Sequence, residues 1–251
     1  MLQIQNFTLN LKAAMKNINI LVITPTYNEV ENIEQFVSSV LERNVSLLII
    51  DDNSPDGTGD IVKKLENQYD SLFSIHRIEK LGLGSAYKEG FRWAINNKFQ
   101  FVVEMDADFS HRLIDLDKLI VNAEKGDLIL GSRYTPGGGS IGWDRKRKLL
   151  SYSANLVTRL VIGTQIRDIT SGFRIYTSSS LNNIDFESVS SDGYAFQIEM
   201  FYLYCVANKK VIEIPILFEE RRLGKSKMNK QIISEAIQLL IKLLGKRIGI
   251  K

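Results

Sequence analysis

The pattern that most restricts the fold of this chain is the alternation in its first half. Short apolar runs at Ile18–Thr24, Leu47–Ile50, Phe73–His76, Phe101–Met105 and Leu128–Leu130 have the length of buried strands. Between them, Glu31–Leu41, Asp60–Tyr69, Ser85–Asn96 and Leu113–Glu124 carry apolar residues at three- and four-residue spacing, which predicts helices with one buried face. Thr58 stands where it could cap the second of these helices. Strand–helix alternation with apolar strands specifies an α/β fold with a mostly parallel, doubly wound sheet. In such a sheet ligands collect outside the carboxyl ends of the strands.

Those ends are where the polar residues stand. The fourth run leads into Asp106-Ala107-Asp108, two carboxylates separated by one small residue. Hard divalent cations take oxygen ligands, and Mg²⁺ is usually held by one or two carboxylates plus substrate phosphates. Taken alone, an Asp-x-Asp fits a solvated acidic loop better than an ion site. The first strand ends at Pro25-Thr26-Tyr27-Asn28-Glu29, where a ring beside a carboxylate suits a nucleoside and equally suits a plain strand-to-helix turn. Asp52 repeats the pattern after the second strand, with a turn-forming aspartate as the competing reading. Arg133 follows the fifth strand, and Arg147, Arg174, Arg221 and Lys227 fall in expected loops or loop edges. Arginine forks match phosphate geometry, so carboxylates and arginines at neighbouring strand ends suggest a phosphate-handling cleft.

The second half reads less regularly. Tyr134–Lys148, with Gly137-Gly138-Gly139 and the basic run Arg145–Lys148, reads as a mobile basic loop. Leu149–Ile162 is an expected helix, Gly172–Tyr176 the start of a strand, Tyr194–Val206 a helix and Val211–Phe218 a strand. Arg221–Lys230 is a second basic loop, and Gln231–Lys246 a closing amphipathic helix with Ile232, Ala236, Leu239, Leu240 and Leu243 on one face. That face suits the core better than a membrane anchor. The expected organisation is a leader over 1–17 (Met15 being an alternative start), one domain over 18–230 and the helix over 231–251.

Composition narrows the function further. A net charge of +3 does not by itself argue for nucleic acid, and a single cysteine excludes a disulfide framework or a cysteine zinc site. No secretory signal and no apolar run of membrane-spanning length is evident. There is no P-loop, and Gly82-Leu83-Gly84 lacks the third glycine of the dinucleotide fingerprint, so hydride transfer is not expected.

Eight motifs occur in order: PTYNE, DDNSPDGT, DADFSH, GSRY, the spaced Trp143/Arg147/Ser151/Asn155 set, DITSGFR, DGYAFQIE and RRLGKSK. Together they resemble the dolichol-phosphate (polyprenol-phosphate) mannose synthases of the inverting family 2 glycosyltransferases. The resemblance covers about Ile18–Lys242 and implies a single-domain, Rossmann-like glycosyltransferase A-type fold. It implies that Pro25, Tyr27, Glu29 and Asp52 hold the nucleoside of GDP-mannose, and that Asp106, Ala107 and Asp108 lie at its diphosphate. Asp106, Asp108 and the weaker ligand Ser110 would hold Mg²⁺ or Mn²⁺. Arg133, Arg147 and Ser151 match acceptor-phosphate positions, and Arg221 and Lys227 close over the donor; Asp108, Arg133, Arg147 and Arg221 would carry the catalytic load. Arg112 and Leu113 follow His111 where many members have proline.

The implied reaction moves mannose to a dolichyl or polyprenyl phosphate with inversion. A phosphate acceptor is already anionic near pH 7, so no general base is required. Glu199 is expected either to orient one of the arginines or to lie exposed. The lipid acceptor implies peripheral contact at the cytoplasmic face of a membrane, directly or through small membrane subunits. A glucosyl or other sugar-nucleotide enzyme and a catalytically silent binding subunit are the alternatives.

Overall fold

The computed structural model describes residues 18–220 and 230–247. The leader over 1–17 and the loop with Arg221 and Lys227 lie outside the described residues. Strands β1 (Ile20–Thr26), β2 (Ser46–Asp51), β3 (Leu72–His76) and β4 (Phe101–Glu104) alternate with helices α1 (Ile33–Leu41), α2 (Thr58–Glu66) and α3 (Leu83–Asn96). Helix α4 (Leu113–Val121) leads through a 3₁₀ turn at Ala123–Lys125 to β5 (Leu128–Ser132). After β6 (Gly139–Ile141) come α5 (Arg145–Ile162), β7 (Arg174–Thr177) and the short α6 (Ser178–Asn182). Helix α7 (Gly193–Val206), β8 (Val211–Pro215), β9 (Leu217–Glu219) and α8 (Lys230–Arg247) complete the described chain.

The main sheet has the order β3-β2-β1-β4-β7-β5-β8. Only β7 runs antiparallel, against both β4 and β5. The chain winds outward from β1 to β3 and then returns to place β4 on the other side of β1. That reversal opens a crevice between the carboxyl ends of β1 and β4. The register sets Thr26 beside Asp51 and Asp51 beside His76, so the first three strands end in one row.

Alternation along the strands divides the core by face. Leu21, Ile23, Leu48, Ile50 and Val102 pack with Tyr87 and Phe91 of α3, Phe196 and Phe201 of α7, and Leu239 and Leu243 of α8. Val22, Leu47, Ile49 and Val103 pack on the other face with Phe36 and Val37 of α1, Val62 of α2 and Leu119 of α4. Each such side chain contributes roughly 1.5–3 kcal/mol on full burial. Helix α7 is apolar all round because it is sandwiched between the sheet and α8.

Three expectations are corrected here. Arg145–Lys148 is not a loop: it is the first turn of α5, capped by Asp144, whose carboxylate accepts from the Arg147 N–H at 2.7 Å. Thr58 is not the α2 cap. Gly57, at φ +92°, takes that place. Val211–Phe218 is two strands, because β8 pairs with β5 while β9 leaves the sheet to pair with β6. On α8, Leu239 and Leu243 are buried and Ala236 and Leu240 pack against the core, whereas the Ile232 side chain lies outside the described residues.

Candidate active site

The loop after β2 holds the loop after β1. Asn28, at φ +59°, donates its N–H to Ser54 Oγ, Glu29 N donates to Thr58 Oγ1, and Val30 N donates to an Asp56 oxygen. Asp51 ties the two strand ends, accepting from Thr26 Oγ1 at 2.9 Å and from the Ser54 N–H at 3.0 Å. Pro25, Tyr27 and Glu29 are half-buried along this edge, with the Lys80 ammonium 3.8 Å from the Tyr27 ring centroid. Glu29 also accepts from Asn32 Nδ2.

Asp52 turns the other way. It accepts from Arg77 at 2.8 Å and from the Gly82 N–H at 3.0 Å. Arg77 also reaches Glu89 at 2.9 Å and Ser85 Oγ. A nucleoside hydroxyl at Asp52 would therefore meet a carboxylate already fixed by a buried arginine, with further lone pairs to offer. Arg77 was not a candidate from the sequence, where nothing links it to a residue 25 positions earlier.

At the end of β4 the chain makes a tight turn through Asp106-Ala107-Asp108-Phe109-Ser110, with Phe109 at φ +59°. The Ser110 N–H donates to Asp108 Oδ1 at 3.0 Å. His111 closes the turn, its Nδ1 accepting from the Asp106 N–H at 3.1 Å while its ring stacks on Phe173 at 4.6 Å. Burial holds His111 down to about 4, against the pull of Asp108, so the ring is neutral and braces the turn. Ser110 Oγ is buried with no hydrogen-bond partner. Among the described residues no three His, Cys, Asp or Glu side chains form a metal cage. Two carboxylates and an unpartnered hydroxyl at one turn are a partial, all-oxygen donor set, which fits a hard divalent cation whose remaining ligands are diphosphate and water.

Beneath this turn lies a polar cluster missed in the sequence. Glu104 is fully buried and accepts from Tyr176 Oη at 3.2 Å and from Gln197 Nε2 at 2.8 Å. Burial raises it to about 7, with Arg174, Gln197 and Tyr176 pulling the other way. Arg174 is not a phosphate ligand at a loop edge. It is fully buried in β7, donating to the carbonyls of Ile169 at 2.5 Å, Ser171 at 2.7 Å and Gln197 at 3.0 Å.

At the end of β5, Arg133 meets Asp168. Its N–H and Nε donate to one carboxylate oxygen at 2.7 Å each, and its terminal nitrogen to the other at 2.6 Å. Burial works against this guanidinium's charge, but Asp168 outweighs it and holds the group above its ordinary value. Arg147, on α5, lies 4.3 Å from the Trp143 ring centroid and pairs with Glu220 at 3.0 Å. Arg133 faces the same ring at 5.3 Å. Ser151 Oγ accepts from Tyr134 Oη at 2.7 Å. Arg133, Arg147 and Ser151 thus line one groove of about 300 Å³. The groove runs between α5, α7 and α8 and is walled mainly by apolar side chains, among them Leu150, Val157, Ile198 and Leu240.

Glu199 is not exposed. It is buried, and one oxygen accepts from the N–H groups of Ser190 and Ser191 and from Ser191 Oγ, so it braces the loop ahead of α7 and pairs with none of the arginines among the described residues.

A doubly wound sheet with an acidic turn at its switch point defines a glycosyltransferase A-type fold. A mannosyltransferase from Pyrobaculum calidifontis, solved with GDP-Man and Mn²⁺, superposes with a TM-score of 0.55 at 16% identity, over 98% of this chain and 71% of that one. Residues 21–185 match the model of glycosyl transferase family 2, and the chain belongs to that family. It is 39% identical to an undecaprenyl-phosphate mannosyltransferase of Micrococcus luteus over 87% of this chain and 90% of that protein. It is 43% identical to a polyprenol monophosphomannose synthase of Mycolicibacterium smegmatis over 86% of this chain and 83% of that protein.

Proposed function

We propose that this protein transfers mannose from GDP-mannose to a polyprenyl or dolichyl phosphate, with inversion at the anomeric carbon. The observation that carries the reading is that Arg133, Arg147 and Ser151 line one groove together with mainly apolar side chains. A phosphate headed by those groups would lay its hydrocarbon tail in the groove. The names of the two relatives agree with this acceptor class. The Pyrobaculum enzyme, solved with GDP-Man, supports the donor.

Pro25, Tyr27, Glu29 and Asp52 form the nucleoside edge, and Asp106, Ala107 and Asp108 the diphosphate edge. Asp106, Asp108 and Ser110 would hold Mg²⁺ or Mn²⁺, which when bound offsets charge on the leaving diphosphate. An acceptor phosphate oxygen attacks C1 of mannose, the C1–O bond to GDP breaks, and GDP leaves with the electron pair. The phosphate, with a second pKa of about 6, needs no base to remove a proton. Accordingly His111 is held neutral and occupied in the turn. The protein's own part is to orient two anions and balance their charge. Arg221 and Lys227 are proposed to complete the donor side.

Membrane contact is assigned to α5 and α8. Leu149, Leu156, Val157 and Leu160 of α5 are exposed beside Ile237 and Ile241 of α8. Arg145, Lys146 and Lys148 stand exposed at the start of α5. Each such cation contributes about 1 kcal/mol near an anionic membrane surface. Among the described residues no helix is long and apolar enough to cross a membrane.

The test is transfer of labelled sugar to a short polyprenyl phosphate, with GDP-mannose, GDP-glucose, UDP-glucose and UDP-GlcNAc offered separately. Transfer from GDP-mannose supports the reading. Transfer only from a UDP-sugar keeps the acceptor and overturns the donor, and no transfer from any donor with membranes added points to a silent subunit.

A further inference from the structure

We infer that Asn155 and Thr170 are positioning residues that lock Arg133 to the helix carrying Arg147 and Ser151; the inference rests on the acceptor reading proposed above. Arg133 stands at the end of β5, whereas Arg147 and Ser151 stand on α5. For the three to grip one phosphate, their relative placement must hold to within about 0.5 Å. The covalent path between strand and helix is the glycine-rich stretch through β6, and although Tyr134 Oη reaches Ser151 Oγ, neither joins the Arg133 guanidinium itself to α5.

Asn155 does. It lies one helical turn beyond Ser151 and is 1% exposed. Its Nδ2 donates to Thr170 Oγ1 at 2.9 Å and to the Ser151 carbonyl at 3.1 Å, and its Oδ1 accepts from the Thr170 N–H at 3.1 Å. Thr170 Oγ1 also accepts from Arg133 at 3.0 Å. One hydroxyl oxygen therefore receives the strand's guanidinium and the helix's amide, which occupies both of its lone pairs. Asp168, two residues earlier, accepts from Nε and from the same terminal nitrogen that reaches Thr170. A buried network satisfied in this way has one low-energy geometry. Neither Asn155 nor Thr170 needs to touch the reacting atoms for the geometry to matter.

The test compares Thr170→Val, Thr170→Ser, Asn155→Ala and the double variant Asn155→Ala/Thr170→Val in the full chain. The readouts are separate KM values for a short polyprenyl phosphate and for GDP-mannose, with a thermal melt for each protein. Thr170→Val keeps the side chain's shape and removes the shared oxygen, so it carries the test should Asn155→Ala fail to fold. Expected are a rise of about tenfold in acceptor KM for Thr170→Val and for Asn155→Ala, and a donor KM within about twofold of wild type. Thr170→Ser should restore the wild-type acceptor KM. The double variant should be no worse than the worse single, because both remove one link. A donor KM that rises in step with acceptor KM, equal behaviour of Thr170→Ser and Thr170→Val, or an unchanged acceptor KM in Thr170→Val would each overturn the inference. Arg147→Ala and Ser151→Ala separate the two levels. If they leave acceptor KM unchanged, the acceptor assignment itself falls; if they raise it while Thr170→Val does not, only the positioning role falls.

Discussion

Replacing Asp168 with asparagine keeps the side chain's shape and removes its charge. One oxygen would still accept from the Arg133 N–H and Nε, but the new amide NH₂ would face the terminal guanidinium nitrogen, donor against donor. The Arg133 side chain is 6% exposed and that of Asp168 0%, so water cannot replace the lost charge. Removing one partner of a buried ion pair costs about 3–5 kcal/mol. For a domain of this size each kcal/mol lowers the melting temperature by about 2–4 °C, so a fall of about 6–20 °C is expected. A calorimetric melt at pH 7 measures it. Asp168→Leu/Arg133→Met, which removes both charges, should recover part of the loss because the desolvation cost disappears with them, while the Arg133 N–H is left without its acceptor. It should still show no transfer, since the proposed phosphate ligand has gone. A single variant that melts within about 2 °C of wild type, or a double variant that turns over normally, would refute the reasoning.

Further outcomes follow from the same geometry. Glu104 has a folded pKa of about 7 against an ordinary 4.5, so its contribution is present below pH 4.5 and is lost as pH rises through 7. In EDTA, wild-type stability by urea titration should fall over that window by up to about 3 kcal/mol more than that of Glu104→Gln, and equal slopes would contradict this. Chelation should abolish transfer and added Mn²⁺ or Mg²⁺ restore it, whereas Asp108→Asn should stay inactive at the same metal concentration; undiminished turnover in EDTA would remove the metal from the account. At Gly82, with φ +93°, an added Cβ would lie 2.2 Å from an Asp192 oxygen. Gly82→Ala should therefore lower stability by about 1–3 kcal/mol, and an unchanged urea midpoint would rule out that crowding.

The strands and helices of the first half were legible because a short continuous apolar run differs from a 3.6-residue apolar period, and each run is bounded by turn residues. The sequence also set Asp106, Asp108 and Arg133 at strand ends, but did not show that β7 inserts between β4 and β5. The start of α5 was not legible. A run of cations at a helix N-terminus opposes the macrodipole, so Arg145–Lys148 resembles a loop until Asp144 is recognised as a cap. Partner choice was illegible for a different reason. Arg174 was read as a phosphate ligand, yet three backbone carbonyls, two from the turn just before it and one from α7, meet it in the interior. Asp168 and Arg133 are 35 residues apart, and only the antiparallel insertion of β7 brings the turn before it against the end of β5. Glu104 sits in an apolar strand where no local signal distinguishes a buried acid from an edge residue.

The most direct test of the central claim is a competition. The protein, a short polyprenyl phosphate and Mn²⁺ are mixed with equal GDP-mannose and UDP-glucose carrying different isotopes, and the lipid product is analysed by mass spectrometry and NMR. The account expects lipid phosphate bearing only the GDP-derived mannose, joined with inverted anomeric configuration. A glucosyl lipid, a mannosyl lipid of retained configuration, or GDP release with no lipid product would contradict it.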